Sequence, residues 1–239
     1  MEDGPYSVLT SVTDPNQLSF RHLNPTGQQW FYYIESDYDC PGELPLQSDT
    51  LDNRSPEVNP ISGLTVIGDD VLIEWETNPS AEVSGYVIYR PTPTGTVPID
   101  TVFAPLTSYL DTTANPDFQS EAYLVVAIDP CGNSSVFDVP HFTTFLNYTI
   151  DPCEQTISLF WNKYNSWPQG VSRQEIWLSL DGNPAELIAT LDSSAANYTF
   201  EIANKESIYD FSVISYQAGG NFSAASNATH LQPLLIRPV

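Results

Sequence analysis

An internal repeat constrains this chain more than any other feature of its sequence. Setting Cys40 against Cys131, and then Gly132-Asn133 against Gly220-Asn221, brings three copies of one pattern into register at offsets of 91 and 88 residues. The segment before each of these loops carries Tyr32, Ile34 and Ser36 in the first copy, Tyr123, Val125 and Ala127 in the second, and Phe211, Val213 and Ser215 in the third. Large, branched and small side chains recur in that order. Upstream of them Leu18, Tyr109 and Tyr198 hold similar places, and before these stand Val12, Val102 and Leu191. The front of the unit occurs only twice: Val71-Leu-Ile-Glu-Trp75 with Gly85-Tyr-Val-Ile-Tyr89 matches Ile157-Ser-Leu-Phe-Trp161 with Gln174-Glu-Ile-Trp177-Leu178.

Within the repeat the hydrophobic period is two. Val71, Ile73 and Trp75 alternate with Leu72 and Glu74, the mark of strands with a buried face. Twenty prolines and the turn clusters Asp-Gly, Cys-Gly-Asn and Gly-Gly-Asn punctuate such runs. No segment has convincing helical period; Ala195 to Lys205 comes nearest and reads better as a strand over Tyr198 to Ile202. The fold class is therefore all-β, with strand spacing that suits tandem β-sandwiches. The repeat divides the chain into the C-terminal half of one module (1–54) and two complete modules (55–146 and 147–239). Half a sandwich cannot close its own core, so the natural protein is expected to continue upstream.

Charge excludes several function classes. Thirty acidic and seven basic residues give −23. With Lys163, Lys205 and five arginines the chain cannot build a basic stripe for phosphates, which argues against nucleic acid and anionic membrane surfaces. The charge divides as −7, −11 and −5 over the three segments, so no acidic tail exists. At 41% apolar and 12% aromatic residues the chain has ample core, and no apolar run approaches the ~18 residues of a membrane helix. Met1-Glu-Asp-Gly lacks the features of a signal peptide. His22, His141 and His230 stand far apart, and no nucleophile elbow, zinc-protease motif or phosphate loop is present. No catalytic residue and no cofactor is assigned.

A Trp on the second strand (Trp75, Trp161), Gly85-Tyr-Val-Ile-Tyr89 on the third, and a tyrosine-bearing penultimate strand entering Gly132-Asn-Ser134 resemble the fibronectin type III family, an immunoglobulin-like β-sandwich. Ser48-Asp-Thr-Leu-Asp-Asn53, Asp129-Pro-Cys-Gly-Asn133, Cys153 eight residues before Trp161, and Asn162-Lys-Tyr-Asn-Ser-Trp167 are similar to modules of large Bacteroidota surface proteins. Those are exported by type IX secretion and often associated with gliding motility. The resemblance implies a non-catalytic structural or adhesion segment at the cell surface, a rod of sandwiches. Its partners would be neighbouring modules of the same longer chain, surface glycans or other surface proteins. The alternative is accessory polysaccharide-binding or spacer modules of a secreted hydrolase.

Cys131 follows the penultimate strand of the second module, and Cys153 lies near the start of the third. The expectation is a disulfide between them across the module junction, with two unpaired thiols as the alternative; the bridge would close a loop of about 20 residues, worth roughly 3 kcal/mol, and would imply an oxidising compartment. Tyr38, Tyr164, Trp167 and Tyr216, in or beside turns, are candidate glycan contacts. For Trp167 packing against the neighbouring module is the competing role, and the favoured one. Asp37-Tyr-Asp39 and Asp69-Asp70 are the turns where Ca²⁺ would sit, although neither concentrates the six to eight oxygens it takes. Six Asn-x-Ser/Thr sites occur, and Thr50, Thr101 and Thr112 match a short Bacteroidota O-glycosylation pattern.

Overall fold

The computed structural model describes residues 5–23, 30–36, 41–48, 50–80 and 82–233. The chain falls into two compact units, Met1–Arg54 and Ser55–Val239. It is all-β: among the described residues there is no helix.

The first unit is built on a hairpin. Strands β1 (Phe31–Tyr32) and β2 (Glu35–Ser36) pair antiparallel with β4 (Leu51–Asp52) and β3 (Leu46–Gln47), setting Tyr32 opposite Leu51 and Ser36 opposite Leu46. Residues 5–23 form no strand. Val12 and Leu18, whose repeat counterparts Val102, Leu191, Tyr109 and Tyr198 all stand on strands, are therefore not on strands themselves, and among the described residues no strand pairs with theirs to take their backbone groups.

The second unit contains two sandwiches of like connectivity. The first comprises β5 (Ile61–Ile67), β6 (Asp70–Trp75), β7 (Gly85–Thr92), β8 (Gly95–Phe103), β9 (Ser108–Asp111), β10 (Ala122–Ile128) and β11 (His141–Phe142). Its sheets run β5-β6-β9 and β11-β10-β7-β8. The second comprises β12 (Leu146–Asp151), β13 (Thr156–Trp161), β14 (Val171–Leu180), β15 (Glu186–Asp192), β16 (Asn197–Glu201), β17 (Tyr209–Gln217) and β18 (Ser223–Ala225). Its sheets run β12-β13-β16 and β15-β14-β17-β18. Three strands facing four, with the chain crossing between sheets in this order, make each a fibronectin type III-like sandwich.

The period of two places the core. On β6 Val71, Ile73 and Trp75 are buried while the residues between them are half-buried, and they face Tyr86 and Ile88 of β7 and Tyr123, Val125 and Ala127 of β10. In the second sandwich Ile157, Leu159 and Trp161 face Ile176, Phe211 and Val213. The equivalence of β7 and β14 is one residue out from the motif alignment: Gln174 and Ile176, not Glu175 and Trp177, point inward, matching Tyr86 and Ile88 at the 88-residue offset. Gln174 has a partner there, since the Trp161 indole Nε1 donates to its Oε1 at 2.7 Å. Trp75 meets the Tyr86 ring instead, 5.2 Å away, and its Nε1 finds no acceptor among the described residues.

After β10 and along β17 the final segments pair through hydroxyls. Ser135, Thr143, Ser226 and Thr229 each donate a backbone N–H to a carbonyl on or just before β10 or β17, of Ala127, Glu121, Val213 and Phe211, and accept the same residue's N–H on the side-chain oxygen. These residues hold the last strand in place where the ladder is irregular.

Candidate functional site at the module junction

Only residues 143–145 separate β11 from β12, and both sandwiches hold them. Thr143 is bound to Glu121 of the first sandwich, through Thr143 N to Glu121 O at 2.8 Å and Glu121 N to Thr143 Oγ1 at 2.9 Å. From the second, the Asn162 amide donates to Thr143 O at 3.0 Å and accepts Phe145 N at 2.6 Å. Asn227 brackets Leu146 in the same way, accepting its N–H at 2.7 Å and donating to its carbonyl at 3.1 Å. Two asparagines, each with a donor and an acceptor, thus replace the strand partners this stretch lacks.

Above this linker the β13–β14 loop crosses into the first sandwich. Tyr164 and Trp167 are 2% and 3% exposed, and they belong to the core that contains Leu64, Val71 and Tyr123. Their rings lie 4.2 Å apart. The Trp167 Nε1 donates to Ser62 O at 2.6 Å, and the Tyr164 hydroxyl meets His141 Nδ1 at 2.8 Å. Gly170, at φ 74°, turns the loop back, its N–H donating to Trp167 O at 2.8 Å. Ala224 of β18, with Val171 and Phe222, completes the seam. At Gly63 the strands approach so closely that a Cβ would lie 3.2 Å from Ser223 O. Burial pushes the Tyr164 hydroxyl pKa well up and the His141 imidazole down to about 4, the latter against the opposing pull of Asp138. His141 is therefore neutral at pH 7, which suits a ring accepting or donating one bond in an apolar seam.

Trp167 and Tyr164 were candidate glycan contacts by sequence; their faces lie inside the core, so neither can stack on a sugar. Trp167 packs on the neighbouring module. Tyr216 is half-buried on the outer face of β17, with the Arg173 guanidinium 3.8 Å from its ring centroid and its hydroxyl donating to Glu175 at 2.8 Å. Glu175 also accepts Arg173 Nε at 3.0 Å and the Trp177 indole at 3.2 Å. Burial works to raise the Glu175 carboxyl, but these donors and the Arg173 charge outweigh it and hold it below the usual range. Tyr38 lies outside the described residues. Sequence reading missed Trp177 in this cluster because it had been matched to a core position.

The bridge expected between Cys131 and Cys153 is not formed: Cys153 is an exposed free thiol. From Cys131, also exposed, the chain doubles back along β10, pairing Ser134 with Ile128 and His141 with Tyr123. It then runs the six residues of β12, about 20 Å, before the turn that holds Cys153. A disulfide needs Cα atoms within ~7 Å, and this extended path carries the two cysteines apart.

Of the other sequence candidates, Thr50, Thr101 and Thr112 are exposed. Asp37 and Asp39 lie outside the described residues. Asp69 and Asp70 bound the β5–β6 turn, where Asp69 sits against Asp117 and, after burial, is the main reason the Asp117 carboxyl is pushed up. Among the described residues no three His, Cys, Asp or Glu side chains are grouped to hold a metal. Each histidine has a side-chain partner: His22 meets the Tyr32 hydroxyl at 2.9 Å, His141 meets Tyr164, and His230 meets Asp210 at 2.9 Å. One buried ionic cluster was not foreseen. Asp111 accepts Arg90, the Tyr123 hydroxyl at 2.8 Å, and the Thr113 N–H and Oγ1 at 2.9 and 2.7 Å. Burial alone would raise its carboxyl; the bonds from Thr113 and Tyr123 with the Arg90 charge hold it below the usual carboxylate range.

No family model matches this chain, and no curated protein matches it. Among solved structures it is similar to pectate lyase PelI from Erwinia chrysanthemi in complex with tetragalacturonic acid, with 24% identity over 37% of this chain and 28% of that one (TM-score 0.32). It thus spans less than a third of that enzyme's length. A two-domain fibronectin type III segment of chicken tenascin matches with 14% identity over 75% of this chain and 99% of that one (TM-score 0.31). The FN1–FN3 domains of chicken CNTN1 match with 14% identity over 84% and 76% (TM-score 0.31).

Proposed function

We propose that residues 55–239 are a stiff two-module spacer in a non-catalytic structural or adhesion segment of a large exported cell-surface protein, of the kind used in surface adhesion or gliding. The insertion of Tyr164 and Trp167 into the neighbouring core carries this reading. A flexible array needs no shared core between modules; a load-bearing or distance-setting one does, because interfaces within a chain otherwise permit relative motion. The surface location rests on the motif resemblance, since the bridge that would have favoured an oxidising compartment is not formed. On this reading the partners are other modules of the same polypeptide and surface glycans or proteins, and Thr50, Thr101 and Thr112 are exposed for O-glycosylation.

Spin labels on exposed positions of the two sandwiches, such as Thr101→Cys and Glu201→Cys in a background with Cys40, Cys131 and Cys153 all replaced by Ser, should give a narrow distance distribution that broadens in Trp167→Ala. Replacing residues 55–239 by a Gly/Ser linker in the source cell should lower adhesion or gliding while leaving export intact; unchanged attachment would overturn the reading. A second reading, accessory polysaccharide-binding or spacer modules of a secreted hydrolase, is favoured by the outward cluster of Trp177, Tyr216 and Arg173. A glycan array probed with the whole chain and with Trp177→Ala separates the two: binding lost with Trp177 supports the second.

A further inference from the structure

Repeat positions that fill the core of both complete modules lie open in the first unit. Val125 and Val213 are 1% and 0% exposed, whereas Ile34, in the same place of the repeat, is 76% exposed. Leu18, at 92%, stands where Tyr109 and Tyr198 pack on their cores, and Val12, at 46%, stands where Val102 and Leu191 do. The hairpin itself keeps the register of a complete module: Tyr32 opposes Leu51, and 91 residues on, within one position, Tyr123 opposes His141. What covers these positions elsewhere is β6 with β7, through Val71, Ile73, Trp75, Tyr86 and Ile88, and β13 with β14 in the second sandwich.

We propose that Val12, Leu18 and Ile34 are the receiving half of a sandwich core, and that their occupant is a three-strand segment of the type found at 61–92, with a Trp on its second strand. A second copy of this chain does not supply it. Its own Trp strands are buried in their sandwiches, its first unit offers the same incomplete half, and two chains of charge −23 repel. The inference rests on the repeat and the exposures, independently of any role in adhesion.

The probe is the full chain extended by a copy of residues 55–92 ahead of Met1. At the 91-residue offset this sets the joint where β7 meets β8 in the complete module. Hydrogen exchange of the amides of 31–36 and 46–52 should slow by ~100-fold or more, and a further cooperative unfolding transition should appear. Ile34→Asp should abolish both gains in the extended chain and leave the unfolding of 55–239 unchanged in the parent. A parallel extension by residues 147–180 guards against a poor match of one sequence. The proposal is overturned if neither extension slows exchange, if the protection survives Ile34→Asp, or if the parent chain self-associates in sedimentation and Ile34→Asp returns it to monomer.

Discussion

Trp167→Ala is the sharpest test of the shared core. The indole is 3% exposed and contacts residues of a sandwich other than the one its own sequence neighbours build. Truncating a buried Trp costs about 3–5 kcal/mol. Within that figure, the Ser62 carbonyl loses its 2.6 Å donor in a buried setting, a loss of roughly 1–3 kcal/mol. Trp167→Phe keeps one aromatic ring but gives up that bond, and should cost less than the alanine, roughly 1–3 kcal/mol. The destabilisation should fall on the first sandwich, although residue 167 lies beyond its last strand. At about 4–8 °C per kcal/mol for a domain of this size, the melting of residues 61–142 should drop by ~12 °C or more and separate from that of the second sandwich. Calorimetry on the whole chain reads the transitions, and hydrogen exchange assigns each to its strands. A shift below about 1 kcal/mol, or one confined to amides of 146–231, would refute the argument.

Other consequences follow from the buried titrating and polar groups. His141 is held neutral with a pKa of about 4 against 6.5 unfolded, so between those values the unfolded chain binds more protons. Stability should therefore decline as pH falls from 6.5 toward 4 and level off below, by up to about 3 kcal/mol; urea melts of His141→Gln should lack this slope. Asp111 acts in the same sense at lower pH: its folded pKa is held below 3.8, so the stability it contributes is present above that value and is lost as pH falls through the folded one. Asp111→Asn should cost about 3 kcal/mol by taking from Arg90 the nearer of its two carboxylates, Glu121 remaining at 3.8 Å, and an unchanged denaturation midpoint would count against the cluster. Thr143→Val removes the hydroxyl that accepts Glu121 N and should cost roughly 1–2 kcal/mol, read in the same melts. Native alkylation should label Cys153, and peptide maps without reductant should contain no Cys131–Cys153 peptide; finding that peptide would contradict the strand path from β10 through β12.

Sheet-level features were legible in the sequence because period two and repeat spacing report directly on one buried face. Trp75, Trp161, Tyr123 and Phe211 stand in the core for that reason, and Tyr198 is on a strand, β16, as its pattern suggests. Readings failed where a residue's environment is made by a part of the chain far away in sequence. Tyr164 and Trp167 look like exposed loop aromatics until the neighbouring core is known. Trp177 fails differently: a one-residue slip of register reverses inside and outside. The Cys131–Cys153 bridge was inferred from closeness in sequence, whereas strand direction, not residue count, sets their separation. Val12 and Leu18 hold repeat places that are on strands in both complete modules, yet a strand is stabilised by its neighbours, and among the described residues none pairs with theirs.

On the spacer reading proposed above, stiffness is encoded loop by loop. The inserted residues come from the β13–β14 loop, Asn162-Lys-Tyr-Asn-Ser-Trp167. The corresponding β6–β7 loop, residues 76–84, has no aromatic residue. It turns onto the segment before its own sandwich instead: Asn78 Nδ2 donates to Glu57 O at 2.8 Å and to Asn59 Oδ1 at 3.0 Å, and Ser80 Oγ accepts Glu57 N at 2.9 Å. One fold thus carries two kinds of loop at the same position, one that fills another module's core and one that fastens its own leading residues by hydrogen bonds. Burial of two aromatics contributes several kcal/mol to a junction, whereas the three polar contacts, around the buried amides of Asn59 and Asn78, contribute about 1 kcal/mol each. Transplanting Tyr164 and Trp167 into the 76–84 loop should therefore not by itself create a clamp. The receiving side needs its counterparts of Ser62, Gly63 and His141: a free carbonyl, a strand without a Cβ at the closest approach, and a neutral ring to meet the tyrosine hydroxyl.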